Sequence, residues 1–197
     1  MTEPLKQHLN KLLPINQSEW LMLKKHLKFC EYKKGDYFAE INKSSNSIGF
    51  IVSGAFRTFC IDNAGVEITY LLNFENDFLA SFESFLTAQK SKFSIQALED
   101  SKIILLKKEA LLHLYETSKY WEKFGRMIAE NMYQKTQNLY QDLLLETAEY
   151  RYLKLLEKYP EIFNRVPLYY IASLIGIRPQ SLTRLRKNLK NKKVKLT

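Results

Sequence analysis

One stretch towards the end of the chain leaves few folds open: Leu168-Tyr169-Tyr170-Ile171-Ala172-Ser173-Leu174-Ile175-Gly176-Ile177-Arg178-Pro179-Gln180-Ser181-Leu182. Residues 168–175 have helical spacing, with Ile171, Leu174 and Ile175 on the apolar side. Ala172 is small where a second helix must cross closely. Gly176, four residues on, can take the left-handed backbone that turns the chain. Ile177 plugs the turn. Pro179 suits the first position of the next helix, where its missing N–H costs nothing. Leu182, Leu185 and Leu189 then give that helix a buried stripe. The pattern predicts a helix-turn-helix.

The second helix carries Gln180, Ser181, Thr183, Arg184, Arg186 and Lys187 opposite its leucines, with Arg178 just before it. These types suit a helix entering the DNA major groove: Gln pairs with adenine, Arg with guanine, and Lys, Ser and Thr with phosphates. The bland alternative is a solvated basic face. The distribution of charge favours the first reading. The formal net charge is +9. Residues 1–106 hold 12 Lys/Arg and 12 Asp/Glu, and residues 107–161 hold 9 of each. Residues 162–197 hold 9 Lys/Arg and no acid, so the whole excess lies on the segment with the folded turn. Clustered cations gain free energy from phosphate contacts and counterion release. Duplex DNA is therefore the expected partner.

Upstream the pattern differs. Leu5, Leu9, Leu12, Leu13, Trp20, Leu23 and Leu27 recur at helical spacing; Pro14 breaks the run and Asn16-Gln17-Ser18-Glu19 restarts it, so two short helices are expected. From Phe29 to about Leu106, short β-prone runs alternate with turn signals. Lys34-Gly35-Asp36, Ser53-Gly54 and Asp62-Asn63-Ala64-Gly65 are the punctuation. Strands are expected at 48–52, 56–61, 66–72, 93–98 and 102–106, in an antiparallel sandwich or barrel. After Lys107 the only glycine before Pro160 is Gly125, and residues 118–146 read as one long helix. Its stripe is Phe124, Ile128, Met132, Thr136, Leu139 and Leu143. Such a stripe packs either on its own domain or on a second copy. Polar Thr136 in the seam favours a two-chain interface. Residues 147–158 continue helical to Tyr159-Pro160.

Composition excludes several classes. Hydrophobic residues at 46% supply a core, so the chain is not disordered. Two cysteines, Cys30 and Cys60, are too few for a disulfide scaffold or a four-cysteine zinc or iron–sulfur site. No apolar run approaches the roughly 18 residues of a membrane helix. No signal-peptide run follows Met1, so a cytoplasmic protein with no membrane partner is expected. No nucleophile–base motif, metal-ligand cluster or P-loop stands out. No enzyme activity, metal or cofactor is expected. The histidines, His8, His26 and His113, form no ligand motif and are expected to be ordinary surface or core residues.

The order of these parts resembles the Crp/Fnr family of transcription regulators over nearly the full length. The resemblance rests on Lys34-Gly35-Asp36-Tyr37-Phe38, Ile51-Val52-Ser53-Gly54-Ala55-Phe56-Arg57, the Gly65 hairpin, and Ile171 through Lys187. It implies an α+β protein in three parts. Residues 1–117 would form a cyclic-nucleotide-binding-type antiparallel β-roll (a double-stranded β-helix) sensor with N-terminal helices. Residues 118–146 would form a dimerisation helix, and 147–197 an all-α helix-turn-helix domain. It further implies a homodimer reading a near-palindromic site whose half-sites lie about 34 Å apart. A small-molecule effector and RNA polymerase are candidate partners.

The chain departs from the family at two places. Members that bind cyclic AMP carry a Gly-Glu pair and then an Arg followed by small residues. Here Ala80 and Ser81 stand where Gly and Glu are expected, and Ser91 or Lys92 where Arg is expected. The resemblance places an effector pocket at Arg57, Ser81, Phe82, Glu83, Ser84, Ser91 and Lys92, and the departures argue for an effector other than cyclic AMP. A true cyclic-nucleotide-responsive regulator is the alternative. At the other end, Arg178 replaces the usual Ser or Thr cap of the recognition helix, and the sequence stops before the β-hairpin wing of many relatives. Lys190, Lys192, Lys193 and Lys195 are expected to grip backbone phosphate from a basic tail.

Overall fold

The structure, a computed structural model, describes residues 2–194. In chain order the elements are α1 (Glu3–Leu12), α2 (Gln17–Lys24), β1 (Lys28–Tyr32), β2 (Tyr37–Ala39), β3 (Ser47–Ser53), β4 (Phe56–Ile61), β5 (Glu67–Asn73) and β6 (Phe78–Leu79). There follow α3 (Phe82–Thr87), β7 (Ser94–Ala97), β8 (Ser101–Lys107), α4 (Lys108–Thr117), α5 (Lys119–Leu145), α6 (Ala148–Lys158), α7 (Ile162–Arg165), α8 (Leu168–Leu174) and α9 (Pro179–Val194). The chain divides into two compact units. The first holds residues 1–60 and 71–133, and the second residues 61–70 and 134–197.

The strands form two antiparallel four-stranded sheets, ordered β1-β8-β3-β6 and β2-β7-β4-β5. This is the expected α+β class, with antiparallel sheets followed by helices. One core lies among Ile51, Phe56, Leu79, Ile95, Ile103 and Leu105. A second core packs Leu5, Leu9, Trp20 and Leu23 of α1 and α2 with Phe50, Ile104, Leu114, Trp121 and Phe124. The two cores follow from strand alternation: Phe50 and Ile51, or Ile103 and Ile104, point to opposite faces.

The local signals are met by visible hydrogen bonds. Asn16 caps α2, its side chain accepting from Glu19 N at 2.9 Å. Asp62 Oδ1 accepts from the backbone N–H groups of Ala64 (2.8 Å) and Val66 (2.9 Å), fixing the hairpin before β5. Gly54 lies at φ +112°, and a Cβ there would sit 2.0 Å from Ser101 Oγ. Thr147 caps α6 by accepting from Tyr150 N at 3.1 Å, which separates α6 from α5. The short strands β1, β2 and β6, and the helices α3, α4 and α7, have no counterpart among the elements predicted singly from sequence.

The three histidines take part in ring contacts: His8 lies 5.4 Å from Phe50 and 5.5 Å from Phe78, and His26 lies 5.9 Å from His113. Cys30 and Cys60 form no disulfide. Among the described residues, no helix is long and apolar enough to cross a membrane.

Candidate functional site

The second unit holds the helix-turn-helix. Ile171, Ala172, Ile175 and Leu182 are buried with Tyr152, Ile162 and Val166. Gly176 sits at φ +71°, in the left-handed region that the turn requires. The turn is closed by Gly176 N donating to Ser173 O (2.9 Å) and Ile177 N donating to Ala172 O (3.0 Å). Pro179 starts α9, and Arg178 O accepts from Ser181 N (2.9 Å) and Leu182 N (3.1 Å).

Burial of Leu182 turns the opposite face of α9 outwards. Gln180, Ser181, Thr183, Arg184 and Lys187 are exposed, as is Arg178 before them. Two predicted residues are otherwise engaged. Thr183 Oγ1 donates to Pro179 O at 3.1 Å, within its own helix. Arg186 is half-buried, its guanidinium 4.2 Å from the centre of the Phe163 ring. The sequence places Arg186 on the outward face; it lies one turn beyond Leu182 and so packs beside the core instead. The basic tail needs correction as well. Helix α9 runs on to Val194, so Lys190, Lys192 and Lys193 belong to the helical backbone, and Lys195 lies outside the described residues.

Two features of this unit have no local sequence signal. Arg151 holds backbone carbonyls at two helix ends. Its Nε (3.0 Å) and Nη2 (2.8 Å) donate to Ile175 O, and its Nη1 to Asp142 O (3.1 Å) and Glu146 O. A cation at the last carbonyls of α5 and α8 also suits their dipoles. The second feature joins the 61–70 hairpin to α8. Thr69 N donates to Ser173 Oγ (2.8 Å), and Ser173 Oγ donates to Thr69 O (3.2 Å). Tyr169 OH adds a longer contact to Glu67 O.

The first unit holds the residues predicted for an effector pocket. Ser81, Ser84 and Ser91 are buried, Phe82 is half-buried, and Glu83 and Lys92 are exposed. Ser91 Oγ donates to Phe93 O at 2.6 Å, so in the 2.6 Å contact between Ser81 and Ser91 the proton comes from Ser81. Ser84 Oγ accepts from Ser45 N (2.9 Å) and donates to Gln89 O. Lys92 Nζ lies 2.7 Å from Glu83 Oε1. The serine hydroxyls are thus engaged within the segment, Ser84 also holding Ser45 N from the loop before β3, and the two charged residues pair with each other. Arg57 stands apart on β4, on the face opposite Phe56. Its Nε and Nη2 lie 3.0 and 2.7 Å from Gln96 Oε1, and its guanidinium 3.9 Å from the centre of the Phe59 ring.

On α5, Phe124 is buried in the core of the first unit and Ile128 packs against it. Met132 and Leu139 are half-buried, and Thr136 and Leu143 are exposed. Sequence spacing missed the exposed Tyr133, Tyr140, Leu144 and Leu145 on the same helix, Leu145 being 79% exposed.

Residues 29–118 match the family model for a cyclic nucleotide-binding domain. No curated protein sequence matches the chain. Solved structures do match it. FixK2 from Bradyrhizobium japonicum has a TM-score of 0.71 at 14% identity, over 84% of this chain and 85% of that one. A putative Crp/Fnr-family transcriptional regulator from Eubacterium rectale has a TM-score of 0.71 at 17% identity, over 92% and 88%. The c-di-GMP-responsive global regulator CLP of Xanthomonas campestris has a TM-score of 0.70 at 13% identity, over 90% and 93%.

Proposed function

We propose, starting from a fold shared with Crp/Fnr transcription regulators, that this chain is a homodimeric regulator that binds duplex DNA by sequence. The observation that carries the reading is the outward face of α9. Gln180, Ser181, Arg184 and Lys187 are exposed on a helix whose inner face is fixed by Leu182 and the Gly176 turn. Gln180 and Arg184 have the types that read base edges, and Arg178 and Lys187 the types that hold phosphates. Exposed Tyr133, Tyr140 and Leu144 on α5 leave an apolar surface that a second copy would cover.

Selection from a random pool of duplexes with the purified protein tests this. The expected product is a near-palindrome with half-site centres about 34 Å, roughly ten base pairs, apart. A pool that stays at its input composition overturns the proposal.

A cyclic-nucleotide-responsive regulator is the second reading, favoured by the domain match over residues 29–118. The Ser81–Ser91 pair weighs against it, because neither hydroxyl replaces the charge of an arginine facing a cyclic phosphate. Calorimetry with cyclic AMP and cyclic GMP decides between them, micromolar binding of either favouring the second.

A further inference from the structure

A cavity of about 480 Å³ opens in the first unit on the helix-covered side of the β1-β8-β3-β6 sheet. Neither Ser81 nor Ser91 lines it, but Ala80 and Phe82, on either side of Ser81, do. Its walls come from α1, α2, β3, β8, α4 and α5, with residues such as Leu9, Phe50, Ile104 and Phe124. Its volume falls in the range of about 300–1,000 Å³ typical of small-molecule sites. The charged residues of its lining are Lys108, Glu122 and Arg126. Lys108 Nζ donates to Leu86 O at 2.9 Å and forms no ion pair among the described residues.

We propose that this cavity binds a long-chain carboxylic acid, with the hydrocarbon tail along the apolar walls and the carboxylate at Lys108. Two arguments select that class. Apart from Lys108, Tyr115, Trp121, Glu122 and Arg126, the lining side chains are apolar, so most of a nucleotide's ribose hydroxyls and base edges would stay unpaired, at a cost of about 1–3 kcal/mol per group. A hydrocarbon tail carries no such penalty and gains from each buried methylene. Arg126 is paired with Glu130 at 3.1 Å, so Lys108, which has no such pair among the described residues, is the lining cation that suits an anionic head. Ile128 and Met132 of α5 also line the cavity, so a bound tail touches the helix assigned to dimerisation. That such a ligand would act on a dimerisation helix rests on the regulator reading; the cavity and its chemistry do not.

The test uses the delipidated full chain, with palmitate, methyl palmitate and cyclic AMP as probes. Calorimetry measures binding, and Trp121, in the cavity wall, reports it by fluorescence. The expected result is one palmitate per chain, bound more than about tenfold tighter than its uncharged ester. Cyclic AMP should give no heat that palmitate competes away. Ala80→Phe, which fills the cavity, should abolish palmitate binding, and Lys108→Gln should shrink the preference for acid over ester. If Ala80→Phe does not fold, Ala129→Trp on the α5 wall replaces it. No saturable palmitate binding, or undiminished binding in a folded filling variant, overturns the proposal. DNA retention, measured on the same preparations, separates the two readings: loss of palmitate binding with DNA retention intact overturns this proposal alone, and loss of DNA retention with palmitate binding intact overturns the regulator reading alone.

Discussion

Gly176 and Arg151 do different work for the same turn. At φ +71° a β-branched side chain meets the steric penalty of the left-handed helix, roughly 1–2 kcal/mol. Gly176→Val should therefore lower the melting temperature of the second unit and weaken DNA retention, while the cyclic-nucleotide-type fold keeps its circular dichroism. An unchanged melt would mean that the turn relaxes into another conformation. Arg151 donates to three carbonyls, at 142, 146 and 175, with a planar fork that lysine lacks. Arg151→Lys should recover little of what Arg151→Ala loses, a loss of about 1.5–3 kcal/mol in chemical denaturation. Gly176 was legible because Ala172, Ile177 and Pro179 stand around it at fixed spacing. Arg151 was not, because its acceptors are backbone groups up to 24 residues away and leave no side-chain pattern. Lys33 and Asp100 offer a pH test. A hydrogen bond from Lys33, then one from the Lys34 N–H, holds the Asp100 carboxyl below its ordinary value, and the Asp100 partner raises Lys33. The Asp100 contribution is present above its unfolded pKa and is lost as pH falls through the folded one. The Lys33 contribution is present below its unfolded pKa and is lost as pH rises through its raised value. Asp100→Asn should flatten both ends of the profile of melting temperature against pH. A variant profile parallel to the parent's would remove this pair from the account.

Helices α9 and α5 show how far periodicity reaches. On α9, Gln180 and Lys187 are both exposed, yet the proposed roles differ. Gln180→Ala should cost about 1–3 kcal/mol at one operator position and relax preference there. Lys187→Ala should weaken all duplexes alike and reduce the salt slope by about one. Equal losses on every sequence for both variants would reduce Gln180 to a phosphate contact. On α5, the spacing that selected Phe124 and Ile128 is real, but that part of the stripe packs in its own unit. Periodicity reports that a face is covered and is silent on what covers it. Exposure points further along the helix, so Tyr140→Asp with Leu144→Asp should give a monomer by sedimentation without lowering helix content. The sheets divide the same way. Strands β3, β4, β5, β7 and β8 carry β-prone runs bounded by turns, and the sequence places them to within a few residues. Strand β6 has two residues and β2 has three, too few for a period to register. Helix α4 follows β8 with no intervening turn residue, so its start has no punctuation.

At the scale of the molecule, the net charge of +9 resolves into a neutral stretch, residues 1–161, and a cationic one, residues 162–197, that carries the helix-turn-helix. If two copies engage one operator together, a duplex with a single half-site should bind at least about a hundredfold more weakly than the full palindrome, because the second contact gains from effective concentration. Comparable affinities for the two duplexes would argue for independent monomers. The hairpin joint to α8 has a consequence of another kind. Thr69 meets Ser173 through its own backbone N–H and carbonyl, so only one side of the joint is written in side-chain chemistry. Thr69 is fully buried, so position 69 is bounded by side-chain volume, but its hydrogen-bonding chemistry is free: any residue that fits, except proline, which lacks the N–H, leaves those two bonds intact. Position 173 has no such freedom. Substitutions there would find no compensating change across the joint, and a screen for paired suppressors should recover none at 69.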